Sequence, residues 1–257
     1  MTDDARQHAE EHRRRVIRAK VVRLENSLPP VRDAIPTGFP ALDEVLGVGG
    51  FPRGAMTELF GPSSSGKTTL ALQWVAHLQA SAFEAAWIDA DHTFDPAYAA
   101  ALGVALERVP LARPESAEQA LEMTRRLALS GAVDAVIVDS VAALAPQLEL
   151  DSAVTGSAGL HGRVLASGLK PLARAVAKCD TAVLFLNQTR SRMDPAAGGM
   201  ETSAGGPALK LYAAVRLVLE PIDSRTVRFR TLKNKAAAAF REGVLRRAGP
   251  LGFAKTP

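Results

Sequence analysis

The run Gly61-Pro62-Ser63-Ser64-Ser65-Gly66-Lys67-Thr68 is the part of the chain whose residue types and spacing point most directly to chemistry. Glycines at its first and sixth positions let a backbone wrap close to an anion, and successive N–H groups can then face phosphate oxygens. A helix starting at Lys67 presents its positive end to the same place. Lys67 would reach the β- and γ-phosphates of a nucleoside triphosphate, and the Thr68 hydroxyl would hold Mg2+. With Thr69 these residues form the candidate phosphate site, and ATP with Mg2+ is the expected cofactor pair. A phosphate loop of this kind also needs a carboxylate at the end of a buried strand to organise the magnesium shell. Asp139, directly after the apolar run Ala135–Val138, fits that need, although an acid there also serves simply to end a strand. No metal-ligand spacing occurs in the chain, so magnesium is expected to arrive with the nucleotide.

These residues need a scaffold, and the hydrophobic pattern supplies one. Met56–Phe60 reads as a strand, and Lys67–Ala80 carries Leu70, Trp74, Val75 and Leu78 at the spacing of an amphipathic helix. Ala85–Asp89 is a second strand. Ser116, with Gln119 three residues on, starts a helix that stops at Gly131. The runs Ala135–Val138 and Ala182–Leu186 are apolar almost throughout, as in strands buried on both faces. Strands alternating with helices predict an α/β fold, a mainly parallel twisted sheet with helices on both faces. After residue 215 the strand-like segments Arg216–Ile222, Thr226–Leu232 and Gly243–Arg246 follow closely, which predicts an antiparallel C-terminal edge.

The 257 residues, 47% of them hydrophobic, suffice for one α/β core. Charge is uneven: residues 224–257 hold nine Lys and Arg against one acid, Glu242, and a second basic cluster surrounds Arg13-Arg14-Arg15. Such clusters suit nucleic acid, and they equally suit a solvated face. Residues 1–30 read as a short helical arm and linker, an element for packing on the chain's own core or on another subunit, broken at Pro29-Pro30. The ATPase core spans 31–248, and 249–257 reads as a short tail. No stretch approaches the roughly 20 apolar residues of a membrane span, and the acidic start is unlike a signal peptide, so a cytoplasmic protein without membrane contact is expected. The single cysteine, Cys179, reads as a buried small hydrophobe.

Several segments, in order and spacing, resemble the RecA family of recombinases. They are Ile35–Gly54 before the phosphate loop, Ile88-Asp89-Ala90-Asp91-His92, Asp95–Ala99, Ser130–Asp134, Val138–Leu144, Asn187-Gln188, Gly205–Lys210 and Lys233-Asn234-Lys235. The resemblance covers roughly residues 33–242 and implies a RecA-like P-loop NTPase core. It implies that Asp95 and Tyr98 flank the adenine, that Gln188 senses the γ-phosphate, and that Asp91 stands where the family has its catalytic glutamate. Lys233 and Lys235 would reach ATP held by a neighbouring subunit, as arginine fingers do in trans; they also read as two solvated lysines. Two loops would contact single-stranded DNA, 146–163 with Arg163, and 189–206 with Arg190, Arg192, Gly205 and Gly206. Met193 and Met200 are candidate wedges between bases there.

Four departures from the family follow. Asp91 is one methylene shorter than glutamate, and a misplacement of about 1 Å can cost on the order of a hundredfold in rate, so slow hydrolysis is expected. Leu211 replaces a commonly aromatic interface residue. The first loop reads as one residue shorter, and with the sequence ending soon after the core the family's C-terminal domain is expected to be missing. Two functions stay open. One is a DNA-stimulated ATPase of repair and recombination that binds single-stranded DNA as an ATP-dependent oligomer or filament. The other resembles ImuA, a non-recombinase accessory of the mutagenic SOS response to DNA damage. It would act on RecA or a translesion polymerase, with residues 1–27 and the ATP-bridged interface as contacts. His161 reads as an exposed loop histidine, and His92 as a packing residue at a strand end.

Overall fold

The computed structural model describes residues 33–151, 159–192, 200–249 and 252–255, together with His8 and Glu11, which are helical and exposed. The chain divides into two compact units at Arg32 and Asp33. The arm expected over residues 1–30 lies outside the described residues apart from those two positions.

In the larger unit the order is β1 (Ala34–Ile35), α1 (Pro40–Leu46), β2 (Phe51–Pro52), β3 (Met56–Gly61), α2 (Lys67–Ala80), β4 (Ala85–Asp89), α3 (Pro96–Ala101) and β5 (Leu111–Ala112). It continues through α4 (Ala117–Ser130), β6 (Ala135–Asp139), α5 (Gln147–Asp151), α6 (Leu160–Val176), β7 (Ala182–Arg192) and β8 (Met200–Ser203). The last elements are α7 (Pro207–Tyr212), β9 (Val215–Pro221), β10 (Thr226–Asn234) and β11 (Glu242–Arg246). The main sheet runs β11-β10-β9-β3-β7-β6-β4-β5, and β8 pairs with β7 alone. From β9 to β5 neighbouring strands are parallel, so the expected α/β class holds. The expected antiparallel C-terminal edge is present: β9, β10 and β11 pair antiparallel in sequence order, and β9 joins this edge to the parallel strands by running parallel to β3.

Side-chain alternation along the central strands builds two cores, one on each face. Ala135, Ile137, Leu184 and Leu186 join Leu59, Trp74 and Leu78 on one face. Val136, Val138, Val183 and Phe185 join Leu121, Leu165 and Leu169 on the other. Both sides of β4 and β6 are covered, which explains why these strands are apolar throughout rather than alternating.

Helix α2 departs from the amphipathic expectation. Leu70, Ala71, Leu72, Gln73, Trp74 and Val75 are all buried. The sheet covers one side; on others Phe51 packs edge-on to Trp74 at 4.7 Å, and Phe253 bonds to Gln73. The stretch expected to be a tail therefore re-enters the core at Phe253, which is 3% exposed. Helix α4 follows its sequence signals. The Gln119 N–H donates to Ser116 Oγ, and Gly131 closes the helix at φ 68°. Cys179 is half-buried rather than buried, because it lies in the turn after α6 with its thiol near the Val176 carbonyl. Among the described residues no helix is long and apolar enough to cross a membrane.

Candidate nucleotide site

Strands β3, β7, β6 and β4 are adjacent and parallel, so their carboxyl ends open on one edge of the sheet, the usual place for a ligand in an open α/β fold. β3 leads into the phosphate loop, β7 ends beyond Gln188, β6 ends in Asp139, and β4 leads to Asp91. The strand register brings Gln188 opposite Gly61 and Asp139 opposite Asp89. Residues far apart in sequence thus meet because parallel strands all end at the same edge.

Within the loop, Gly61 needs to be glycine because a Cβ there would collide with the Leu219 carbonyl of the neighbouring strand. The Lys67 ammonium is buried and donates to the carbonyls of Gly61 at 3.1 Å and Pro62 at 2.8 Å, with Ser65 Oγ at 3.3 Å. Burial pulls its pKa down, and the carboxylates of Asp139 and Asp91 push it back up. Thr68 Oγ1 donates to Asp139 Oδ2 at 2.9 Å. A hydroxyl and a carboxylate paired at the head of α2 suit a hard cation that carries the rest of its oxygen ligands with it. The described residues contain no group of three or more His, Cys, Asp or Glu that could hold a metal ion alone.

The β4 end is stitched to the β6 end. Ala90 and Asp91 N–H groups donate to the Asp139 carbonyl at 2.7 and 3.3 Å. Asp91 in turn accepts from the Ser140 N–H at 2.9 Å and the Ser140 hydroxyl at 3.1 Å. Asp89, 1% exposed, shapes the intervening turn by accepting from the N–H groups of Thr93 and Phe94 and from Arg113 Nε at 3.1 Å. Neither Ser140 nor Arg113 was singled out for a role from sequence. Both act through contacts between segments that sequence order does not bring together.

Asp95 caps α3, accepting the Tyr98 N–H at 3.0 Å, and the Tyr98 hydroxyl meets Thr69 Oγ1 at 2.9 Å. Asp95 and Tyr98 thus sit beside the first turn of α2. His92 corrects its expected packing role: it is exposed, in the left-handed region at φ 55°. His161 is half-buried in the first turn of α6 rather than exposed in a loop. Arg163 also lies on α6, exposed, because that helix begins at Leu160. The second loop begins and ends as paired strands, with Arg190 opposite Thr202 and Arg192 opposite Met200. Residues 152–158 of the first loop and 193–199 of the second, Met193 included, lie outside the described residues. Gly205 and Gly206 lead into α7 with φ of 84° and 74°.

Lys233 is not free at the surface. Its ammonium donates to the carbonyls of Lys210 at 2.7 Å and Leu211 at 2.9 Å, near the end of α7, and burial lowers its pKa. Lys235 and Leu211 are exposed beside it.

Burial holds the Asp139 carboxyl up at about 6; the Thr68 hydroxyl draws it down, while Asp91 and Asp89 push it further up. A folded value above the ordinary 3.8 means that, as pH falls, the folded chain takes up this proton before the unfolded chain does. The resulting stabilisation is full below the ordinary value and is lost as pH rises through about 6. In nucleotide-free protein, the stability difference between wild type and Asp139→Asn is therefore expected to change between pH 4 and 6, roughly, and to be flat above that. Denaturant titrations across pH check this, and a constant difference would count against the perturbed carboxyl.

The family model described as RecA N-terminal domain matches residues 8–247. Protein RecA of Symbiobacterium thermophilum is 45% identical over 221 residues, covering 82% of this chain and 63% of that protein. Protein RecA of Borrelia hermsii is 43% identical over 222 residues, 82% of this chain and 62% of that protein. Protein RecA of Thermus thermophilus is 44% identical over 236 residues, 88% and 69% of the two chains. The chain thus spans less than two thirds of the length of the first two of these relatives. The match begins at residue 8, inside the segment read from sequence as an arm.

Proposed function

The chain belongs to the RecA family, and from that premise we propose that it is an ATP-binding protein of DNA repair and recombination. It binds single-stranded DNA as an ATP-dependent oligomer and hydrolyses ATP slowly. One observation carries this reading: four neighbouring parallel strands deliver Lys67, Gln188, Asp139 and Asp91 to a single edge.

In this reading the residues take the following roles. Gly61–Thr69 and Lys67 bind the phosphates; Thr68 with Asp139 holds Mg2+, which when bound supplies charge neutralisation on the phosphate oxygens. Asp95 and Tyr98 position the adenine. Asp91 orients the attacking water, and Gln188, whose strand continues into the 189–206 segment, links phosphate state to DNA contact through an amide that can both donate and accept. Arg163, Arg190, Arg192, Gly205 and Gly206 provide DNA contacts dominated by backbone charge.

ATP turnover with and without single-stranded DNA tests the reading. Asp91→Glu is the informative variant: restoring one methylene is expected to raise turnover, by up to about a hundredfold where placement is limiting. Absence of both turnover and DNA binding in wild type sinks the recombinase reading.

A second reading is an ImuA-like accessory acting on RecA or a translesion polymerase. It is favoured by the engagement of Lys233 with its own chain's carbonyls, which leaves it bound in cis rather than extended toward a neighbour. Deleting residues 1–27 then abolishes capture of RecA or the polymerase without altering nucleotide binding. Capture that survives the deletion rules against the arm as the contact.

A further inference from the structure

The segment after β11 reaches back onto the outside of the phosphate loop. Arg247 donates from Nη2 to the Ser64 carbonyl at 2.9 Å, and its guanidinium lies 5.8 Å from the centre of the Phe253 ring. Phe253 is fixed in turn. It pairs with Arg247 as an antiparallel bridge; its N–H donates to Gln73 Oε1 at 2.8 Å, and its carbonyl accepts from Gln73 Nε2 at 2.9 Å. The ring lies against Gly66, where a Cβ would come within 2.5 Å of Phe253 Cζ.

Two loop residues touched by this segment have unusual backbones. Ser64 sits at φ 60° and Gly66 at φ 97°. Glycine accepts such a conformation freely, whereas serine is disfavoured there and needs an external hold. Arg247 supplies one. The Ser64–Ser65 peptide is tied at both ends, its carbonyl to Arg247 and its N–H to the Pro62 carbonyl at 3.3 Å.

We propose that Arg247, backed by Phe253, is a positioning residue of the phosphate loop, setting the shape of Ser63–Gly66 before a nucleoside di- or triphosphate arrives. A loop already in its bound shape loses less conformational freedom on binding, so the effect falls on affinity. The guanidinium reaches the loop from the segment after β11, through the Ser64 carbonyl. The proposal rests on the reading of Gly61–Thr68 as a nucleotide site.

The test uses the whole chain as wild type, Arg247→Ala, Arg247→Lys and Lys67→Ala. Fluorescent MgADP and a non-hydrolysed MgATP analogue are titrated, and amide hydrogen exchange of the loop is measured without nucleotide. Arg247→Ala is expected to weaken both nucleotides by about tenfold, the loss of one charge-assisted hydrogen bond. It should keep the wild-type melting temperature and speed exchange at Ser65, while Arg247→Lys recovers part of the affinity. Wild-type affinity in Arg247→Ala overturns the proposal, as does a loss that only tracks a lower melting temperature. If wild type itself fails to bind and matches Lys67→Ala, the nucleotide reading falls. Exchange at Ser65 then decides the role of Arg247 by itself: faster exchange in Arg247→Ala supports it, unchanged exchange overturns it.

Discussion

Lys67→Ala is expected to weaken MgATP binding and turnover by at least about a hundredfold, the usual cost of removing a preorganised charge from a phosphate site. The size of the effect follows from where the ammonium sits. It is 9% exposed, held by two loop carbonyls, and lies where both Asp139 and Asp91 favour its charge. Bound phosphate would meet a cation already stripped of most of its water, and such a charge acts far more strongly than one at the surface. The fold itself should lose little, about 1 kcal/mol, because only hydrogen bonds to two carbonyls and the Ser65 hydroxyl disappear. Lys67→Arg should fail to rescue, since a planar fork cannot occupy the space of a compact ammonium. Isothermal titration with MgATP beside a thermal melt separates the two effects, and retained affinity in Lys67→Ala would falsify the assignment.

The largest expected loss of stability lies on the strand that leads into the loop. Glu58 on β3 is fully buried, directly opposite Arg216 on β9. Its carboxylate accepts from Arg216 Nε at 2.6 Å and from Asn187 Nδ2 at 2.9 Å. Arg216 also reaches Ser203 Oγ at 3.2 Å and stacks 4.7 Å from the centre of the Phe60 ring. Asn187 extends the network to the Ala204 carbonyl and, through its Oδ1, to the Gln188 N–H at 2.8 Å. Glu58→Ala leaves a guanidinium buried without its partner and should cost about 3–5 kcal/mol. Glu58→Gln keeps an acceptor for Asn187 and should cost less. Replacing both charges, Glu58→Leu with Arg216→Met, should recover most of the loss, because the attraction between buried charges does little more than offset their desolvation. Denaturant midpoints for the singles and the double form the cycle. Additive losses would show that the pair is not coupled. The network joins the strand before the phosphate loop to the strand carrying Gln188 and to the return strand of the second loop, so Glu58→Gln should also disturb the Gln188 backbone.

Much of the fold was legible in the order of residues because its signals are local. The octet Gly61–Thr68 with a strand before it, the N-cap Ser116, the stop at Gly131 and the apolar runs at 135–138 and 182–186 depend on neighbours a few residues away. The placement of Asp139 at the end of a buried strand was legible for the same reason. The amphipathic reading of Lys67–Ala80 was incomplete, since which faces of a helix are covered depends on segments as distant as Phe51 and Phe253. The same limit applied to β9: its antiparallel pairing with β10 was legible from adjacency in sequence, whereas its parallel pairing with the distant β3 was not.

The candidate phosphate loop was therefore recognisable from the sequence alone, because its glycines, lysine and threonine are consecutive residues, although Leu219, Arg247 and Phe253 pack against it from far along the chain. What surrounds it was decided only in three dimensions. Ser140 on Asp91, Lys233 on the end of α7, Glu58 against Arg216 and Arg247 on Ser64 each join residues from 22 to 183 positions apart. No local pattern encodes such contacts. They arise because parallel strands bring their ends to one edge and because the segment after β11 turns back onto Ser64 and Gly66.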